Sequence, residues 1–527
     1  MTPEPTAHGT RIGRSWMRTL VYATIGLISV FFGIALGNLV ASWGNPAFGP
    51  IVVVASSAID VPPAVVKEWA VQTFGTSTKS VVVLVVILAV IVISALAGML
   101  ARRRLAAGIA VLGGLSVLGI VAALWRPDDG ISAAIPVVVT GAASMLALAA
   151  LVHLARSPAS DQRNVGREPA VDGPVNRRSL LLGGLGLIGL GSFALAGAQA
   201  TGGRGTVVSP AGSAPVPQPS LSGLPPGVQA PIVGLPPFIT PTDDFYRIDT
   251  AVVVPQVAAD RWTLEIGGLV RTPFTVTYAE LMDMPMVDRD VTIMCVSNPV
   301  GGDYIGTARW TGTPLMPILE RAGIQSGADQ LFSTSVDGWT CSTPLAGLAE
   351  REPLLVVAMN GEPLPADHGY PVRMIIPGLY GFISATKWVM SIEAATYADM
   401  PAYWTVRGWA TDAPVLTGSV IRVPASGSVK AGTVNIGGVA WAMDGDGVSR
   451  VEVQVDDGPW QTAQLAQVPN PVTWRQWWLP WQAAPGVHVL RVRATNGRGE
   501  VQTGVERDVI PAGATGWHTI AVDVTEA

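Results

Sequence analysis

The pattern of apolar and polar positions changes character twice along the chain. Five uncharged apolar stretches, 19–42, 80–101, 105–125, 131–155 and 179–203, are each long enough to cross a hydrocarbon core, which takes about 20 helical residues. They predict five transmembrane helices within residues 1–200. Residues 201–242 then hold ten prolines between Pro210 and Pro241 and no charge after Arg204 until Asp243, the pattern of a semi-extended tether. Beyond it the apolar runs are short. Strands are expected at 262–266, 354–358 and 372–376, a turn at Asn360-Gly361 and a short helix near 315–322, which together read as an α+β domain over 243–414. From 415 to 527 the period becomes two. Val451, Val453 and Val455 alternate before an Asp457-Gly458 turn, and further strands at 476–479 and 487–494 end at Asn496-Gly497. That pattern predicts an immunoglobulin-like β-sandwich.

Charge adds a topology to the helices. The loops before the first, between the second and third, and between the fourth and fifth carry Arg11, Arg14, Arg18, Arg102, Arg103, Arg104, Arg156, Arg163, Arg167, Arg177 and Arg178. The opposite loops carry only Lys67, Lys79 and Arg126, offset by Asp60, Glu68, Asp128 and Asp129. Short arginine-rich loops stay cytoplasmic, so the N-terminus is expected inside and everything after the fifth helix outside, in a multi-pass plasma-membrane protein. Arg177-Arg178-Ser179-Leu180-Leu181-Leu182 followed by a Gly/Ala/Leu run resembles a twin-arginine export signal placed internally; the same arginines also read as ordinary positive-inside residues. Tyr22 and His153 are the only titratable side chains in the five stretches. Transporters and pumps place ionisable groups at membrane depth, so these helices are expected to anchor the chain or to dock a partner.

Composition removes whole classes. The chain of 527 residues is 49% apolar and 13% charged, where soluble domains carry roughly 25% charged residues. A net charge of −5 leaves no surplus to neutralise phosphates, so nucleic acid is not expected as a partner. Two cysteines without a CxxC pair provide no ligand set for a zinc ribbon, an iron–sulfur cluster or a c-type haem. In the membrane half only His8 and His153 could ligate a b-type haem, with His8 outside the bilayer; no haem is expected. His368, His488 and His518 complete the histidines, and no GxSxG, HExxH or Walker motif occurs.

What remains is Cys295, at the end of an apolar run and at the start of the loop Val296-Ser297-Asn298-Pro299-Val300-Gly301-Gly302. A thiol presented there suits a nucleophile or a soft metal ligand. An inert buried cysteine, or a disulfide to Cys341, fits the same residues.

The block from Asp243 to Glu393 resembles the sulfite oxidase family of molybdopterin enzymes. The collinear segments include Phe245-Tyr246-Arg247, Trp262-Thr263-Leu264-Glu265-Ile266-Gly267-Gly268, the Cys295 loop and Trp310-Thr311-Gly312-Thr313-Pro314-Leu315. They continue through Met359-Asn360-Gly361-Glu362-Pro363, His368-Gly369-Tyr370-Pro371-Val372-Arg373 and Lys387-Trp388. The resemblance implies a molybdopterin-dependent oxidoreductase using a molybdenum cofactor, with Cys295 as metal ligand and catalytic residue. His368 and Arg373 would hold the pterin and its phosphate, and Tyr246 and the catalytic Arg247 would line the pocket. Thr334, Thr386 and Lys387 would add hydrogen bonds. The strand-rich unit after 415 similarly looks like that family's dimerisation domain, which leaves a homodimer open.

One departure bears on the substrate. Sulfite oxidases of this family continue the cysteine loop with Gly-Asn-Arg, and here the run is Ser297-Asn298-Pro299. A cation expected beside an anionic substrate is missing, although Arg247 and Arg309 could supply charge. Oxygen-atom or two-electron transfer on a small substrate is expected, sulfoxide reduction ahead of sulfite oxidation, with electrons exchanged through a separate membrane-bound partner. The competing reading is a non-catalytic membrane-tethered binding or assembly module without cofactor, using exposed aromatics such as Trp477 and Trp478.

Overall fold

A computed structural model describes residues 9–43, 48–60, 73, 78–124, 131–156, 177–205, 223–251, 254–425 and 427–526. His8, the loop holding Arg163 and Arg167, most of the loop holding Lys67 and Glu68, the loop at Arg126, Asp128 and Asp129, and residues 206–222 of the expected tether lie outside the described residues. The chain divides into two compact units, residues 1–207 with 250–253, and residues 208–249 with 254–527.

The first unit is helical: α1 (Gly9–Ser42), α2 (Pro50–Asp60), α3 (Thr78–Arg103), α4 (Leu105–Leu124), α5 (Ala134–Arg156) and α6 (Arg177–Gly205). Among the described residues, four stretches are long and apolar enough to cross a membrane: Trp16–Ser42, Val81–Arg103, Leu105–Leu124 and Ile131–Arg156. The fifth expected span is helical as α6, but its described apolar part, Leu181–Ala196, is shorter than the other four. Helix α2 is too short to register as a span, and it packs Val53 among Ala123, Ala133 and Val137. Several buried hydroxyls within the helices bond back one turn, as Ser29 does to Ile25 O (2.7 Å) and Ser144 to Thr140 O (2.7 Å), which satisfies them without water. Arginines join helix ends: Arg102 donates to Thr19 Oγ1 (2.9 Å) and Arg156 to Ala101 O (2.7 Å).

The second unit opens with strands β1 (Thr263–Gly268) and β2 (Phe274–Thr277), helix α7 (Tyr278–Met282), then β3 (Val287–Met294), β4 (Ile305–Pro314) and α8 (Met316–Ala322). It continues with β5 (Gln330–Ser335), β6 (Thr340–Pro344), β7 (Leu354–Met359), β8 (Glu362–Pro363), β9 (Arg373–Ile375) and β10 (Val389–Ala395). Two sheets form, in the orders β2-β1-β10-β5-β6 and β3-β4-β7-β8, with β9 also on β7. Helix α7 starts on a capping box, in which Thr277 and Glu280 satisfy each other's backbone N–H. Every residue of β7 is buried: Leu355 and Val357 enter the main core while Leu354 and Val356 enter a second cluster with Phe245, Val291, Ile293 and Trp310. Burial on both faces explains why this strand reads as an unbroken apolar run.

The C-terminal strands are β11 (Gly418–Val423), β12 (Gly427–Lys430), β13 (Gly432–Trp441), β14 (Val448–Val455), β15 (Gln461–Thr462), β16 (Gln464–Leu465), β17 (Arg475–Ala483), β18 (Gly486–Asn496) and β19 (His518–Thr525). They build two sheets, β11-β13-β17-β16 and β12-β19-β18-β14-β15. Both sheets contribute to one core, Ile421, Ile436 and Trp477 from the first and Val453, Leu490 and Val522 from the second. Trp477 is therefore buried, not exposed as its sequence setting suggested, because it lies on the inward face of β17.

The expected tether is corrected over its described part. Residues 223–242 are laid against the second unit: Val228 and Phe238 are buried in its core. Gln476 accepts from Ala230 N (2.7 Å) and donates to Pro236 O (2.8 Å), and Trp474 Nε1 donates to Phe238 O (2.9 Å). Prolines lacking N–H groups leave few donors to satisfy, so such a segment can pack without a sheet.

Candidate active site

Cys295 begins the ten-residue connection between β3 and β4. Its N–H donates to Tyr304 O (2.9 Å), and Asn298 folds the loop by donating its N–H to Cys295 O (3.1 Å) and accepting from Tyr304 N on Oδ1 (2.8 Å). Arg422 of β11 donates to Gly301 O (3.3 Å) and Gly302 O (3.0 Å) and pairs with Asp303 (2.6 Å). His518 of β19 packs against Gly301, which has φ +83°. Cys295 is buried and free, and so is Cys341, so the disulfide alternative is not formed. Burial pushes the Cys295 thiol up, while Ser297 hydrogen bonds and the Lys387 charge pull it down.

The second half of the site comes from the chain around β9. Gly369, at φ +113°, caps the turn Ala366–His368, and a Cβ there would stand 3.0 Å from Arg373 Cβ and 3.1 Å from Lys387 Cα. That close approach gathers His368, Arg373 and Lys387. The Arg373 guanidinium, 2% exposed, lies 4.9 Å over the Trp310 ring and donates to His368 O (3.1 Å). Among the described residues no carboxylate reaches it at ion-pair distance. Desolvation lowers Arg373 to about 10 and Lys387 to about 8. Lys387 Nζ donates to Asp249 Oδ2 (3.0 Å) and Asp367 O (2.9 Å), and Arg247 Nε shares the same Asp249 oxygen (3.0 Å). His368 is held neutral by burial and by Arg373 and Lys387, which push it down to about 4. Tyr246 stacks on Phe245 (5.3 Å between centroids), whose edge meets both Trp310 and His368. Burial first, then the Cys295 thiol, hold the Tyr246 phenol up.

Tyr246, Arg247, Cys295, His368, Arg373 and Lys387 therefore share one region. Thr386 precedes Lys387 in the chain, and its Oγ1 meets Ser333 Oγ at 2.7 Å; Thr334 follows Ser333 on β5 and points to the opposite face of that strand. Arg309 is corrected. It is clamped to Asp290 through Nε and Nη2, both at 2.7 Å, so its charge is balanced. Asp249 escaped the sequence reading, although its spacing two residues after Arg247 was a usable signal.

Residues 251–404 match the oxidoreductase molybdopterin binding domain family. YuiH of Bacillus subtilis (strain 168), named as an uncharacterized oxidoreductase, is 30% identical over 175 residues, 33% of this chain and 85% of that protein. The chain belongs to the sulfite oxidase family. Human mitochondrial sulfite oxidase is 30% identical over 305 residues, 48% of this chain and 55% of the relative. The chain thus spans about half the length of the mitochondrial sulfite oxidases it matches. The sulfane dehydrogenase SoxCD of Paracoccus pantotrophus aligns over 58% of this chain and 85% of its own, at 22% identity and a TM-score of 0.48.

Membership in the sulfite oxidase family implies a molybdenum cofactor, and the residues present fit one. A buried guanidinium without a counter-charge is costly, and Arg373 Nε and His368 Nδ1 are both buried without a hydrogen-bond partner. A pterin carrying a dianionic phosphate would supply the missing acceptors and charge. No group of three or more His, Cys, Asp or Glu side chains suited to a metal occurs among the described residues, so a single protein thiolate fits a metal whose other ligands arrive with its cofactor.

Proposed function

We propose that the chain is a membrane-anchored, extracytoplasmic oxidoreductase in which Cys295 ligates molybdenum and His368, Arg373, Lys387, Tyr246 and Arg247 hold the molybdopterin. The observation that carries this reading is the buried Cys295 thiol beside a cation cluster whose central guanidinium has no carboxylate. When bound, the cofactor supplies two-electron oxygen-atom transfer. The chain's own residues do the rest. Cys295 gives up its proton on ligation, helped by the Ser297 donors and by Lys387; Arg373 and His368 donate to the phosphate and pterin; Asp249 fixes Arg247 and Lys387 in register; and Phe245 with Trp310 excludes water. Thr334 and Thr386 add further hydrogen bonds to the cofactor.

Reduction of a sulfoxide by two electrons and two protons, giving a sulfide and water, is favoured over sulfite oxidation, because Pro299 stands where a cation is expected and Arg309 is tied to Asp290. The electrons come from a separate membrane-bound redox partner. Contacts from Arg102 to Thr19 and from Arg156 to Ala101 group the arginine-bearing ends of α1, α3 and α5 on one side, which supports a cytoplasmic N-terminus and an outward catalytic unit. Helix α6 serves as a fifth span and a twin-arginine-like signal, and the immunoglobulin-like sandwich as a homodimer contact. The test is molybdenum content of detergent-purified full-length protein from a cofactor-producing host. About one metal per chain is expected, falling at least tenfold in Cys295→Ala while the fold remains; a folded wild type without metal would overturn the reading in favour of a non-catalytic module.

A further inference from the structure

The loop 381–388, which carries Lys387, is held from two sides. Towards β9, Met374 N donates to Thr386 O (2.8 Å) and Ile376 N to Ser384 O (3.0 Å), and Trp388 N reaches Gly369 O (3.4 Å). On the other side lies the face of β5 and β6 that bears Leu331, Ser333, Cys341 and Thr343. Leu331 pairs with Thr343 and Ser333 with Cys341, and residues two apart on a strand share a face. All four are fully buried. Their partners across on β10, Ile392 and Ala394, are apolar core residues.

Three polar side chains on an otherwise apolar face therefore need a reason, and each of them meets the loop. Ser333 Oγ lies 2.7 Å from Thr386 Oγ1, and Thr343 Oγ1 donates to Ile383 O (2.6 Å). The Cys341 thiol lies 3.8 Å from Thr343 Oγ1. Burial pushes that thiol up to about 11, against hydrogen bonds from Thr386, Thr343, Ser333 and the Ala385 N–H. Buried hydroxyls cost free energy and regain only a modest amount when paired, so apolar replacement of both partners is often close to neutral. What a satisfied buried network adds is a single arrangement of the groups it joins. Here it joins Thr386 to β5 through its hydroxyl, while the Thr386 carbonyl is joined to β9 one residue from Arg373. The next residue, Lys387, then reaches Asp249 Oδ2 (3.0 Å) and Asp367 O (2.9 Å).

We propose that Ser333, Cys341 and Thr343 are positioning residues, which fix segment 383–387 from the inner face of β5 and β6 so that the Lys387 ammonium joins the cluster of His368, Arg373 and Asp249. The inference rests on the reading of that cluster as the cofactor cradle. It adds what holds one of its cations in place and gives the second cysteine a role.

The chain has four lysines, Lys67, Lys79, Lys387 and Lys430. Of the two in the second unit, Lys387 is 8% exposed whereas Lys430 is open to solvent. Acetylation by acetic anhydride at pH 9, read by peptide mass spectrometry on detergent-purified, cofactor-free, full-length protein, compares them directly. A buried amine reacts only through local opening, so Lys387 of the wild type is expected to react at least roughly tenfold more slowly than Lys430. Ser333→Ala and Thr343→Val are each expected to shrink that ratio at least about threefold while unfolding stays cooperative. Thr343→Ser keeps the hydroxyl and is expected to retain the wild-type ratio. Leu331→Ala opens a cavity on the same face without removing a polar contact to the loop, and is expected to lower Tm most and leave the ratio unchanged. An unchanged ratio in both polar variants would overturn the proposal. So would an equal change in Leu331→Ala, because exposure of Lys387 would then follow stability alone. Molybdenum content of the same variants from a cofactor-producing host is expected to fall with the loss of shielding. A metal-free wild type that still shields Lys387, or full metal in a variant that releases it, would remove Lys387 from the cradle and leave the anchoring in place, so the two failures are told apart.

Discussion

The replacement Arg373→Met separates what this residue does for the fold from what it does for the cofactor. The guanidinium is nearly fully buried, and desolvation, which lowers it to about 10, corresponds to about 3 kcal/mol acting against the charged form. Methionine removes that penalty at similar volume. It also forfeits the hydrogen bond to His368 O, worth roughly 1.5–3 kcal/mol for a charged donor, and the contact with the Trp310 ring, worth about 0.5–2 kcal/mol. The terms nearly cancel, so cofactor-free protein is expected to change by no more than about 2 kcal/mol, roughly 4–8 °C in Tm at about 2–4 °C per kcal/mol. Cofactor retention responds very differently. Losing two charge-assisted hydrogen bonds to an anion removes about 3–6 kcal/mol, a fall of roughly two to four orders of magnitude in affinity. The assay is tryptophan-fluorescence unfolding of the full chain from a cofactor-deficient host, beside molybdenum content from a producing host. A collapse of the cofactor-free variant by more than about 10 °C would show that Arg373 is satisfied within the protein, and wild-type metal content would show that it holds no cofactor phosphate; either result refutes the reasoning.

Lys387, lowered to about 8 chiefly by desolvation, is charged below that pH and favours an anionic ligand only in that form. Retention of the cofactor on dialysis is therefore expected to fall as pH rises from 7 to 9, and Lys387→Arg to flatten the profile; a flat wild-type profile would contradict this. His518 is lowered to about 4 by desolvation and then by Arg422, with Nδ1 accepting from Ile421 N (3.0 Å). Its folded value lies below the ordinary 6.5, so the unfolded chain takes the proton first. Stability from this group is present above pH 6.5 and lost as pH falls towards 4, by about 1–2 kcal/mol after solvent screening. Denaturation midpoints between pH 7 and 4.5 measure it, and His518→Gln is expected to remove part of the slope.

Much of the site was readable along the chain because its residues sit on short local motifs. Cys295 ends an apolar strand and opens a Gly/Pro/Asn loop, and His368, Gly369 and Arg373 fall within six residues, so local backbone geometry already brings them near. The placement of Thr334 and Thr386 is of a different kind. Which face of β5 looks at the Lys387 loop is set by pairing with β10 and β6, and a shift of one residue reverses it. Arg309 looked available because its partner Asp290 lies across the β3–β4 hairpin, 19 positions away.

Periodicity and charge by themselves determined the division into apolar helices, a mixed α/β block and a run of β-strands, because burial demands a helical or alternating pattern wherever one face meets a core or lipid. Residue types in order determined the family. Tertiary structure decided the rest: that 223–242 is packed instead of free, that Trp477 is core, that Asp249 joins Arg247 to Lys387, and that Arg422 and His518 brace the cysteine loop from strands more than a hundred residues downstream. Each depends on which surfaces meet when separate sheets pack, and that packing is settled by the summed burial of the whole unit, not by any local stretch of sequence.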